Sequence, residues 1–147
     1  MPETPESAER PRLTERQVVA EGGWHPRYAR VLAIATDGDY GFALVDGNGD
    51  GAELEEELWE WHDGRWDGRS SSGGGGLDWL EPLRVWWPYR DPDVCVAFGR
   101  APRRESVTLR FARDRRQVPV SADGVWAFVL AQPGLHAGGD PVLADER

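Results

Sequence analysis

The chain has no lysine, one cysteine, one methionine and one isoleucine in 147 residues. Each shortage excludes something. Without lysine there is no P-loop lysine to hold a phosphate and no amine to form a Schiff base. The lone Cys95 rules out an intramolecular disulfide and a cysteine-cluster metal site, and its place in the apolar run 94–98 suits a small buried hydrophobe. No apolar run reaches the roughly 20 residues that a membrane-spanning helix needs. The Pro- and Glu-rich N-terminus lacks the basic start and apolar core of a signal peptide. A cytoplasmic protein with no membrane partner is the expectation. The motifs H-E-x-x-H and G-x-S-x-G are missing too.

What is present is unevenly placed. Residues 1–76 carry 16 acidic and seven basic side chains, the whole net charge of −9, whereas residues 77–147 carry ten of each. A duplex-binding protein needs a dense positive face to release counterions, so nucleic acid is not an expected partner. The hydrophobic fraction is only 39%, but eight tryptophans supply large apolar areas from few residues, enough for a folded core.

Turn chemistry divides the chain. Residues 1–12 offer almost nothing to bury and read as a disordered tail. A tract of serines and glycines over 71–76 reads as a flexible linker, and it coincides with the change in charge. Residues 13–70 read as an antiparallel β-meander, with strands over 17–21, 29–36 and 40–45 separated by Gly-, Asp- and Pro-containing turns. Trp61-His-Asp63-Gly64-Arg-Trp66 has the form of a two-residue hairpin flanked by aromatics. Residues 52–61 fit either a helix, through Leu54, Leu58 and Trp61, or a strand with Glu55, Glu57, Trp59 and Trp61 on one face; the adjoining hairpin favours the strand. Residues 77–147 alternate with period two around 94–99, 107–111, 118–120 and 126–130, which predicts a small β-sandwich of Ig-like type. The fold class expected is therefore mostly β, a meander followed by a small Ig-like β-sandwich.

Chemistry concentrates in one loop. Asp46-Gly-Asn48-Gly-Asp50-Gly51, with Glu57 at the twelfth position, fits the oxygen-ligand spacing of a calcium loop. The candidate metal ligands are Asp46, Asn48, Asp50, the Ala52 carbonyl and Glu57. The competing reading is a plain polar hairpin turn, since turns use the same residues. A strand after the loop would carry Glu57 out of reach, at about 3.3 Å per residue. Candidate binding aromatics are Trp59 with Trp61, and Trp86 with Trp87; the alternative for all four is packing. Adjacent Trp86 and Trp87 should face opposite ways if extended. A hydrolytic set could be drawn from Ser70, Ser71, Ser72, His62 and Asp63, but a glycine tract cannot hold a nucleophile rigidly, and no catalytic residue is assigned. Between 100 and 116 lie seven arginines against Glu105 and Asp114. They could be a solvated face, or could pair with the acidic stretch 53–60 within one chain or between two.

The phrases Ala43-Leu-Val-Asp-Gly-Asn-Gly-Asp-Gly51, Ala97-Phe-Gly-Arg-Ala-Pro102 and Ser106-Val-Thr-Leu-Arg-Phe111 resemble a set of uncharacterised actinobacterial β-rich proteins. The second half is loosely similar to bacterial Ig-like β-sandwiches. The acidic loop is similar to calcium loops of integrin-type β-propeller repeats, with Leu54 standing where those loops place a further acid. None of these likenesses implies an activity. The expectation is a non-enzymatic binding or protein-interaction module, acting on a protein partner or on itself. The alternative is a β domain stabilised by calcium as its cofactor, and a hydrolase comes third.

Overall fold

A computed structural model describes residues 11–144, and it is mostly β. Most of the predicted tail, residues 1–10, lies outside the described residues. The chain is already anchored at Pro11, whose carbonyl accepts from Trp66 Nε1 at 3.1 Å, and Leu13 is buried.

The first element is a helix, α1 (Glu15–Glu21), where a strand over 17–21 was expected. The reason is local. Thr14 Oγ1 accepts from the Gln17 amide at 3.2 Å, and Gln17 Oε1 accepts from the Thr14 amide at 3.1 Å, a reciprocal capping box that starts a helix. Val18 on its inner side is fully buried.

Four strands follow as an antiparallel meander: β1 (Arg30–Asp37), β2 (Tyr40–Asp46), β3 (Leu54–His62) and β4 (Arg65–Gly73). Residues 52–61 thus resolve as strand from Leu54 onward. Asp63 (φ 53°) and Gly64 (φ 80°) both adopt the left-handed conformation of a type I′ hairpin turn, joining β3 to β4 as the sequence predicts. The Ser/Gly tract is not a free linker. Ser71, Ser72 and Gly73 continue β4 opposite Glu57, Glu56 and Glu55. Beyond them Gly74 N–H bonds the Leu54 carbonyl, and a Cβ on Gly76 would lie 2.6 Å from the Gly51 carbonyl oxygen. Glycine stands at 76 because the chain there passes directly against the loop before β3.

The second half adds β5 (Arg84–Arg90), β6 (Asp93–Arg100), β7 (Ser106–Phe111), β8 (Asp114–Pro119), β9 (Val125–Gln132) and the two-residue β10 (Val142–Leu143). They form two three-stranded sheets, ordered β5-β6-β9 and β10-β7-β8. Sheet β5-β6-β9 is the middle layer of three. One face meets the meander through Phe42, Leu44 and Leu58 against Val94, Val96 and Phe98. The other face meets β7 and β8 through Cys95, Ala97 and Trp126 against Val107, Leu109 and Val118. Double-sided cover explains why residues 93–99 are buried without a break. Trp86 and Trp87 face opposite ways as expected, Trp86 into the first of these cores and Trp87 into the second.

The meander's far face is covered by α1 and its approach: Leu13 and Val18 pack on Ala43, Val45, Trp59 and Trp66. β1 runs beside β9, with Asp37 Oδ2 accepting from the Ala131 amide at 2.9 Å. Among the described residues no helix is long and apolar enough to cross a membrane.

Candidate functional site

β3 alternates, and the alternation builds the site. Leu58 points to the middle sheet, while Glu57 and Trp59 point to the face that α1 covers. Glu57, opposite Ala43 in the ladder, is only 6% exposed. Its carboxylate is held by two indoles: Trp24 Nε1 donates to Oε2 at 2.8 Å and Trp59 Nε1 to Oε1 at 3.2 Å. Burial pushes the Glu57 carboxyl above the ordinary glutamate value, against the two indole N–H groups that lower it and with a smaller upward push from Glu55.

This carboxylate lies at the foot of an open groove of about 350 Å³ beside the C-terminal end of α1. Glu21 and Gly22 form one wall, and Gly68, Arg69, Ser70 and Ser71 of β4 form the other. Ser71 Oγ donates to Glu55 Oε1 at 2.8 Å, and Arg69 is drawn to Glu60 at 2.9 Å. A larger cleft, about 450 Å³, sits between the β7–β8 turn and residues 132–139. Its walls are mostly glycine, alanine and leucine, with charge only from Arg113 and Asp114. The smaller groove has the chemistry: a dehydrated carboxylate, an indole ring and hydroxyls around one mouth. Such a set can take a guanidinium or ammonium group through charge-assisted hydrogen bonds to the carboxylate and the hydroxyls.

In the predicted calcium loop the carboxylates accept from the loop's own backbone. Asp46 is buried, and its two oxygens accept from the Gly49 amide at 3.1 Å and the Gly51 amide at 2.8 Å. Asp50 accepts from the Ala52 amide at 3.0 Å, and Asn48 faces solvent. Glu57 does not join them. Asp46 pairs with Leu54, so Glu57 stands three strand residues further on, about 10 Å away. Among the described residues no group of three or more His, Cys, Asp or Glu side chains converges to hold a metal ion.

The aromatic candidates are also redistributed. Trp59 is buried at 1% exposure, and its role is to orient Glu57 rather than to offer an open face. Trp61 is half-buried edge-on to Trp66 at 5.5 Å, and Trp87 Nε1 donates to Asp140 at 2.7 Å. Trp24, which completes the site, carries no signal in the sequence that links it to a glutamate 33 positions away. The exposed tryptophan is Trp79, at 84%. The hydrolytic set is not assembled: Ser70 pairs with Leu58, four strand residues or about 13 Å from His62, which stands at the far hairpin.

Within the described residues the acidic stretch 53–60 pairs with Arg69 and Arg84, while Arg100 and Arg116 of the arginine-rich segment pair with Asp78 and Asp114. Arginines 103–116 belong to the sheet β10-β7-β8 and its turns, the glutamates to the meander, and the middle sheet separates them, about 10 Å per layer. Comparison of the chain with protein-family models, with characterised proteins and with solved structures gives no match.

Proposed function

We propose that the protein is a cytoplasmic, non-enzymatic interaction module that binds a cationic side chain in the Glu57 groove. The observation that carries this reading is the buried carboxylate, fixed by two indole donors, at the base of an open groove. Each Glu57 oxygen accepts one indole N–H and keeps a further acceptor position for a ligand. A buried carboxylate without a counter-ion is costly, and an arriving cation removes that cost, so the site favours positive over neutral groups. Glu21 at the rim adds to the negative potential that draws such a ligand in. The strand orders support an Ig-like second half, since β5-β6-β9 facing β10-β7-β8 corresponds to A-B-E facing F-C-C′ of an immunoglobulin-type sandwich.

The test is titration calorimetry with a capped arginine peptide and with the same peptide carrying citrulline, which keeps the shape and removes the charge. The arginine peptide should bind, the citrulline peptide should not, and Glu57→Gln should weaken binding about tenfold, the loss of one charge-assisted contact. Equal binding of the two peptides, or an affinity unchanged in Glu57→Gln with its circular dichroism intact, refutes the proposal.

A further inference from the structure

The sheet β10-β7-β8 presents its outer face to solvent, and that face is basic. Arg110 on β7 and Arg115 on β8 are exposed and stand directly opposite one another in the ladder. Like charges so placed repel. Among the described residues neither guanidinium has an ion-pair partner, since Asp114, the nearby acid, is taken by Arg116 Nε at 2.7 Å. Arg113, also exposed, extends the patch into the β7–β8 turn.

The Glu57 groove lies at the opposite pole of the three-sheet stack. Its surroundings are mainly acidic: Glu21 and Glu53 are exposed, Glu55 is half-exposed with its carboxylate accepting from the Ser71 hydroxyl, and Arg69 in the wall is paired with Glu60. The middle sheet lies between the meander and the β10-β7-β8 sheet, and among the described residues no ion pair joins Arg110 or Arg115 to the acids of the groove. A second copy can do what the same copy cannot. A nucleic-acid strand needs a long row of cations for its successive phosphates, which this small face lacks, whereas the acidic groove of another copy offers a few carboxylates to match a few arginines.

We infer that the protein self-associates head to tail, the Arg110–Arg115 face of one copy docking on the acidic groove of the next. This rests on the reading of the groove as a cation site and names the partner that supplies the cation. The two surfaces differ, so the contact is heterologous and leaves a free pole at each end, which builds chains rather than closed pairs. Six-residue strands about 4.8 Å apart make a face of only some 300 Å², well below the roughly 800 Å² per partner of a stable complex. The association is therefore weak, dependent on concentration and sensitive to salt.

Sedimentation velocity over a concentration series tests it, with two neutralised variants, Arg110→Gln/Arg115→Gln and Glu21→Gln/Glu55→Gln. All four positions are at least partly exposed, so the fold should be retained and circular dichroism will show it. The unmutated protein should sediment faster as concentration rises in about 0.1 M NaCl and lose that dependence in about 1 M NaCl, where the Debye length falls to about 3 Å. Each variant alone should stay monomeric, and an equimolar mixture should form a dimer and stop, because only one complementary pair of poles remains. Monomeric unmutated protein at every concentration, or a mixture that stays monomeric, overturns the inference. If the capped arginine peptide still binds in that case, the error lies in the partner; if it does not, the groove reading falls as well.

Discussion

Truncating Glu57 probes the site and the fold together. Glu57→Ala leaves two indole N–H groups without their acceptor. Trp24 is half-buried and can turn to water, but Trp59 is 1% exposed and cannot. An unsatisfied buried donor costs about 1–3 kcal/mol. Removing a dehydrated carboxylate offsets part of this, so a net loss of about 2 kcal/mol is expected, or about 1 M in the urea midpoint at the usual slope. The sharper measurement is a double-mutant cycle with Trp59→Phe, followed by far-ultraviolet circular dichroism. A hydrogen bond to a charged acceptor contributes about 1.5–3 kcal/mol, and the 3.2 Å separation puts the coupling near the lower end. The pH dependence has a fixed sign. Burial raises the folded-state pKa of Glu57 above the ordinary 4.5, so the folded protein holds this proton more tightly than the unfolded chain does. Stability from this group is complete below the unfolded value and declines as pH rises through the raised folded value. Glu57→Gln should remove that decline. A coupling below about 0.5 kcal/mol at neutral pH, or identical pH profiles of Glu57→Gln and the unmutated protein, would falsify the picture of a buried, indole-held carboxylate.

Three further outcomes follow from other parts of the molecule. Asp46→Ala frees the Gly49 and Gly51 amides and should cost about 1–3 kcal/mol in urea unfolding, while millimolar calcium should leave the melting temperature of the unmutated protein unchanged. Thr14→Ala removes the capping box and should cost about 1 kcal/mol, seen first as faster amide exchange within α1. Burial, with a smaller contribution from Asp140, pushes the Cys95 thiol up to about 12, so it should resist alkylation at pH 8 until the protein unfolds; rapid labelling of the native protein would mean that β6 is not covered on both faces.

Much of the strand pattern was legible along the chain. Period-two alternation located β7 and β9, the apolar run 94–98 located β6, and Asp63-Gly64 marked its hairpin, because strand faces and turn conformations are set by neighbours in sequence. α1 was misread as a strand over 17–21, because seven residues are too few for a helical period to stand out from a strand's, and the Thr14-x-x-Gln17 capping box was the signal passed over. The Ser/Gly tract misleads because its composition disfavours a strand. Its first half, 71–73, is one all the same, since the exposed edge of β3 offers a ladder that backbone groups of any residue type can fill.

The sequence by itself determined the β class, the turn positions, the two-sided placing of Trp86 and Trp87 and the separation of acidic from basic residues along the chain. Only the tertiary structure decided what those charges can do. It turned Asp46 inward onto its own loop, delivered Trp24 to a glutamate 33 residues away, and put the middle sheet between the acidic and basic poles. The physical reason is that a carboxylate's role depends on which donors reach it and how much water remains. Both are properties of packing between elements distant in the chain, on which local residue pattern has no hold.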